Sequence, residues 1–393
     1  MNSYLRPNCA SAARWLLVIA GIAAWPSLAA PILPKHDEEV LEVLPVIAGG
    51  RTDERQMRRR LAAQPRDQAL ALAVAGRYLD RARDSGDPRF AGLAMSAIDA
   101  WADDAAMPDG VLMMRATLQQ YLHEFDASVA SLQRLVARPG GQPQPQAWLT
   151  LATVRRVQGR YADSDAACEQ VARVGAIVPS KACLAENAAL RGEVDRARAV
   201  FSELLARAGN PDATRTWLYT SLAELEQRAG NSSAADSAFQ TALGIQTDPY
   251  TTLAYADFLI EQKRPGQALR LLKAQPRSDA VLLRLAIAGV QGQATSAAAD
   301  VAEMRERIAL ANQRPDAKYF HGREQAMFAL AIDRDALRAF DLAHGNAARQ
   351  REPLDLLVLM QAAHAVGDPA ALRKARQLLS QTGLVDQRIS ALD

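Results

Sequence analysis

Cysteine is scarce in this chain, three in 393 residues, which excludes a disulfide-dense small scaffold. Aromatic residues are only 5% of the total, too few for the core of a β-sandwich or barrel. Neither charge sign dominates: 46 Lys and Arg stand against 44 Asp and Glu, without the basic excess of a dedicated nucleic-acid binder. The five histidines are His36, His123, His321, His344 and His364, and no two lie three or four residues apart. A helical zinc pair is therefore absent. No phosphate-cradling glycine loop, dinucleotide fingerprint or G-x-S-x-G elbow occurs, so no cofactor or metal is expected and no catalytic centre is recognisable. What remains is ordinary globular composition, 49% hydrophobic and 23% charged, enough for a large core or two to three domains.

The N-terminus reads as an export signal, residues 1–29. Arg6 and Arg14 precede an apolar run from Trp15 to Ala24, Pro26 breaks it, and Ser27 and Ala29 are small residues before a cleavage point. Cleavage is expected after Ala29; an uncleaved anchor reaching Leu33 is the alternative. Cys9 precedes the apolar run, so it is not the acylated cysteine of a lipoprotein signal. Removing the segment takes Arg6 and Arg14 and no acid, bringing the 46 basic residues level with the 44 acidic ones. No later stretch approaches the length of a membrane span. A periplasmic or secreted location follows as an expectation.

The rest of the chain repeats itself. Trp148, Leu151, Ala152 and Gly159 are followed by Leu184, Ala185, Gly192, Ala197 and Phe201, then by Leu222, Ala223, Gly230, Ala235 and Phe239. Tyr255, Ala256, Lys263, Ala268 and Leu272 give a further copy, with weaker ones at Ala116–Leu135 and Leu285–Ala298. The small residues let two helices approach, the large ones fill the space between units, and glycine suits a left-handed helix end. Proline punctuates the units at Pro179, Pro211, Pro249, Pro276, Pro315 and Pro353, where one helix should stop before the next. The pattern resembles the tetratricopeptide repeat (TPR) family, whose unit is about 34 residues. The resemblance covers 111–305 well, and 66–100 and 319–383 weakly. It implies an all-α, right-handed superhelical solenoid of antiparallel helix pairs, acting as a non-enzymatic protein-binding scaffold.

The expected organisation is a lead-in at 30–65, degenerate repeats at 66–137, a Pro/Gly linker at 138–145, regular repeats at 146–275, and degenerate repeats with a capping helix at 276–393. Cys168 and Cys183 stand equidistant from the turn at Gly175, on helices expected to be neighbours. In an oxidising compartment they read as a structural disulfide, with two separate buried thiols as the alternative. No C-x-x-C suggests redox chemistry.

The concave groove is where the resemblance places a peptide partner. Its positions include Tyr121, Arg156, Glu186, Glu224, Arg228, Asp257 and Glu261. The family's carboxylate-clamp subgroup needs Lys and Asn where this chain has Leu149, Ala182 and Thr220, and Thr153, Glu186 and Glu224, so that clamp is absent. Glu186, Glu224 and Asp257 instead make an acidic stripe, either a solvated face or a surface for a basic or polar segment. Arg51, Arg55 and Arg58–Arg60 read as one exposed helical face, and His36–Glu39 as a solvated acidic tail. Two other functions remain: an accessory subunit of an envelope polysaccharide or secretion machine, and a hydrolase with an unrecognised site. A concave pocket holding perturbed carboxylates would favour the hydrolase; a contiguous, partly apolar groove with no deep pocket would favour the scaffold.

Overall fold

The computed structural model describes residues 50–102, 105–138, 144–313 and 322–392. The export segment 1–29, the acidic tail, the lead-in up to residue 49, linker residues 139–143 and Pro315 lie outside the described residues. Among the described residues every regular element is a helix. After α1 (Gly50–Ala63), the helices form pairs: α2 (Gln68–Ser85) with α3 (Pro88–Ala97), α4 (Asp109–Tyr121) with α5 (Phe125–Val136), and α6 (Pro145–Val157) with α7 (Tyr161–Arg173). Next come α8 (Ile177–Leu190) with α9 (Val194–Leu205), α10 (Asp212–Arg228) with α11 (Ser232–Ile245), and α12 (Pro249–Glu261) with α13 (Pro265–Leu272). The last pairs are α14 (Asp279–Gln291) with α15 (Ala297–Asn312), α16 (Gly322–Phe328) with α17 (Ala336–Ala347), and α18 (Pro353–Val366) with α19 (Pro369–Thr382), before a short α20 (Gln387–Ser390). The chain is thus an all-α, TPR-like solenoid of helix pairs. α16 widens into a π turn at Ala329–Asp333.

Proline sits at the first position of α3, α6, α12, α13, α18 and α19, where a missing N–H costs nothing. Pro211 caps α10 and Pro276 precedes α14. Pro179 departs from the expected pattern: it is the third residue of α8, within the first turn, whose N–H groups need no helical partner.

The turn inside each regular unit uses one left-handed residue. It is Gly159, Gly192 or Gly230 (φ 73°, 85° and 77°), but His123, Lys263 and Gln293 do the same at 58°, 57° and 52°. In each case the next N–H reaches back into the first helix: Arg160 N to Arg155 O at 2.9 Å, Asn231 N to Glu226 O at 2.8 Å, Arg264 N to Leu259 O at 2.8 Å. That bond satisfies an orphan carbonyl and holds the turn whichever residue occupies it.

The small–large pattern is the packing code. Ala223, Ala235, Ala256 and Ala268 are fully buried, and so are Phe201 and Phe239. Phe239 of α11 stacks on Tyr255 and Phe258 of α12, with centroids 5.3 and 5.7 Å away, so it joins two units. Burying each such ring contributes about 1.5–3 kcal/mol. Between α7 and α8 a disulfide joins Cys168 to Cys183 with Cα atoms 5.8 Å apart, and Ser180 Oγ donates to Cys168 O at 2.7 Å.

Residues from Glu54 onward make one compact unit. Nearest-neighbour stacking is the rule for repeat arrays, and the C-terminal segment departs from it. Arg351 N donates to Val157 O (2.7 Å) and Val385 N to Leu190 O (2.8 Å), satisfying terminal carbonyls of α6 and α8. Arg388 of α20 reaches Glu261 at the end of α12, 3.1 Å away. Tyr161 and Leu190 belong to the same apolar cluster as Leu356, Leu359, Leu384 and Ile389. The chain end therefore straps across the turns of the central repeats. No helix among the described residues is long and apolar enough to cross a membrane.

Candidate functional site

First helices alternate with second helices, and the first helices pack on one another from unit to unit. Their inner faces enclose a cavity of about 570 Å³. Its walls come from α6, α8, α10, α12, α14, α16 and α18, with Arg388 of α20 closing one side; α7, α9, α11, α13 and α15 contribute nothing to its lining. The reason is geometric: a pair joined by a tight turn keeps its second helix on the outer layer throughout. The strap adds a wall to what would otherwise be an open groove.

Of the expected groove residues, Arg156, Glu186, Glu224, Arg228 and Asp257 line this cavity together. Tyr121 and Glu261 do not. Tyr121 Oη donates to Ala82 O at 2.8 Å, tying α4 to α2. Glu261 accepts from Gln227 (2.8 Å) and Arg388 (3.1 Å), fastening the strap.

The acidic stripe is corrected by its partners. Glu186 pairs with Arg156 and also accepts from Trp217 Nε1 (2.8 Å) and Ser221 Oγ (2.6 Å). Asp257 accepts from Arg284 Nη2 at 2.5 Å. Each arginine comes from the neighbouring first helix, roughly one repeat away in sequence, so acid and base neutralise one another across units. Glu352, at the start of α18, pairs with Arg323 and accepts from Gln350 at 2.7 Å. Burial pushes the Glu352 carboxyl up, and Arg323 outweighs it and holds it below the usual range.

Glu224 is different. It accepts from Tyr250 Oη at 2.7 Å and has no arginine within ion-pair distance. Enclosure pushes its carboxyl up, helped by the charges of Glu186 and Glu352, against Arg228 and the Tyr250 hydrogen bond. Glu224 in turn is the main cause raising the Tyr250 phenol. Tyr250 is 59% exposed and lines the open part of the cavity wall.

This cavity, with the carboxyls of Glu224 raised and Glu352 lowered, meets the condition set for the hydrolase and departs from the scaffold's expected lack of a deep pocket. No histidine or cysteine lines the cavity. The lining serine, Ser221, donates to a carboxylate that also accepts from Arg156 and Trp217. Thr220 and Thr251 hydroxyls are committed to each other at 2.8 Å. Among the described residues no cluster could hold a metal ion. The arrangement suits binding: leucines at 190, 253 and 354 are interspersed with paired charges, Trp217 and Tyr250.

Sequence reasoning missed Trp217, Tyr250, Arg284, Arg323, Glu352 and Arg388. The first three lie on first-helix faces, and the repeat offset between Asp257 and Arg284 was a signal available for that pair. The last three reach the cavity only because the chain folds back, which no local pattern encodes.

No known family profile matches this chain, and no curated protein does. Among solved structures it is similar to a Rap protein complexed with competence and sporulation factor, at 12% identity and TM-score 0.47, over 87% of this chain and 93% of that one. It is also similar to the TPR domain of P58(IPK), at 13% identity and TM-score 0.25, over 79% of this chain and 98% of that one.

Proposed function

We propose that this protein is an exported, non-enzymatic binding scaffold of the cell envelope that takes a short peptide segment into the cavity of its first helices. The observation that carries the reading is the enclosure itself: about 570 Å³, within the range of ligand sites, walled by side chains of seven first helices. A cavity of that size accommodates a segment of a partner, not a folded domain. Export is supported by the signal-like segment 1–29 and by the cystine between Cys168 and Cys183, a bond that persists in oxidising compartments.

The test has two arms. N-terminal sequencing of the protein from an envelope fraction is expected to begin at Ala30; a start at Met1 would contradict export through a cleaved signal. The purified chain, incubated with a pool of capped random hexapeptides and examined by native mass spectrometry, is expected to retain peptides and to return them intact. Retained peptides recovered as cleaved products would favour the hydrolase instead.

A further inference from the structure

Four of the five arginines that line the cavity are spoken for: Arg156 by Glu186, Arg284 by Asp257, Arg323 by Glu352 and Asp355, and Arg388 by Asp386 and Glu261. Arg228 is not. Among the described residues it makes no hydrogen bond and no ion pair, and its Nε is buried without a partner. Burial disfavours its charge and Arg388 adds to that, against the nearby charges of Glu224 and Asp386. One donor of this half-buried group is thus left unmet inside the wall while its Nη groups are left to solvent, and a buried polar donor without an acceptor costs free energy. A ligand that supplies the missing acceptor removes that cost on binding.

We infer that Arg228 is the anchor of the cavity and that its ligand is a short peptide segment presenting a single carboxylate to it. The inference rests on the peptide reading above and reverses the partner charge suggested by the acidic stripe.

Charge selects the carboxylate. The lining holds six acidic side chains, at 186, 224, 248, 257, 324 and 352, against the five arginines. A doubly charged phosphate or sulfate would deepen that surplus by two charges, a carboxylate by one. One carboxylate matches one free guanidinium in the two-pronged geometry arginine offers. Glu224, one helical turn before Arg228, has its carboxyl pushed up. It therefore takes a proton more readily beside a bound anion and can donate to it. The leucines of the lining select a peptide over an acidic oligosaccharide, which has no apolar side chains to cover them.

The experiment compares two pools of acetylated, amidated hexapeptides, five positions randomised and one held as glutamate or as glutamine. Oligogalacturonide and inorganic phosphate serve as the other anions. Binding is read by native mass spectrometry on the full chain and on Arg228→Gln and Arg228→Lys. The wild type is expected to retain the glutamate pool about tenfold over the glutamine pool, the gain of about one charge-assisted hydrogen bond. Arg228→Gln should bring the ratio to about one, and Arg228→Lys should restore part of it. Equal retention of both pools by the wild type overturns the carboxylate anchor and leaves the peptide reading standing. Retention of neither pool sinks the peptide reading and the anchor with it, as does Arg228-dependent retention of oligogalacturonide or phosphate alone. A glutamate preference that survives Arg228→Gln moves the anchor to another residue. Because Arg228 makes no hydrogen bond or ion pair among the described residues, Arg228→Gln should unfold at the wild-type temperature or above. A loss of several degrees would make Arg228 structural and overturn the assignment.

Discussion

Two glutamates on α10, two residues apart, show how helical geometry divides chemistry. Glu224 faces the cavity. Glu226 points away, is 3% exposed, and accepts from Arg198 Nε (2.5 Å), Arg198 Nη2 (2.9 Å) and Asn231 Nδ2 (2.7 Å). Burial pushes the Glu226 carboxyl up, but these donors win and hold it below the usual range, whereas enclosure raises Glu224. The consequences for stability have opposite signs. Glu226 contributes stability that is complete above its unfolded value near 4.5 and is lost as pH falls through its lower folded value. Glu224 contributes below its unfolded value, and that contribution is lost as pH rises through its higher folded value. Glu226→Gln should therefore cost about 1–3 kcal/mol at neutral pH, Arg198 being partly exposed, and should flatten the acid limb of a stability–pH curve. Glu224→Gln, which keeps an acceptor for Tyr250, should leave neutral-pH stability unchanged or higher. Denaturant unfolding between pH 3 and 8 checks both.

The helix pairs were legible in the sequence because their determinants are local and recur. Ala223 and Ala235, Phe239 beside the next unit, and a left-handed turn residue, glycine in three of the regular units and Lys263 in the fourth, are demands that recur along the chain. Even the turns without glycine keep their position, since the hydrogen bond to the first helix, and not the side chain, defines them. The strap was not legible. Its partners, such as Val157 with Arg351 and Leu190 with Val385, are far apart in sequence and carry no period. The turn glycines record it nonetheless. A Cβ on Gly159 would stand 2.6 Å from Thr382 Cγ2 and 3.3 Å from Arg351, whereas one on Gly209 would meet nothing within 4 Å; both are left-handed, at φ 73° and 82°. Gly209→Ala should cost about 1–2 kcal/mol, the left-handed penalty alone. Gly159→Ala should cost at least about 1 kcal/mol more, because buried Thr382 must shift. Equal costs by chemical denaturation would mean that the strap does not rest on that turn.

At the scale of the whole molecule, a fold of weak local signals closes around one enclosure, and the site follows from that closure. Five of the seven expected groove residues meet in it; Tyr121 and Glu261 are used elsewhere because one ties α4 to α2 and the other fastens the strap. The cystine Cys168–Cys183 links consecutive units across 15 residues. Opening it should cost up to about 3 kcal/mol, less in so far as the Gly175 turn already holds α7 beside α8. Thermal unfolding with and without reductant reads this directly, and Cys168→Ser should be insensitive to reductant. The central claim is that the inner layer of first helices binds and the outer layer does not. Hydrogen–deuterium exchange of the full chain saturated with a retained peptide measures it most directly. Added protection is expected in α10 and α12, with α9, α11 and α13 unchanged; protection confined to those outer helices would contradict it.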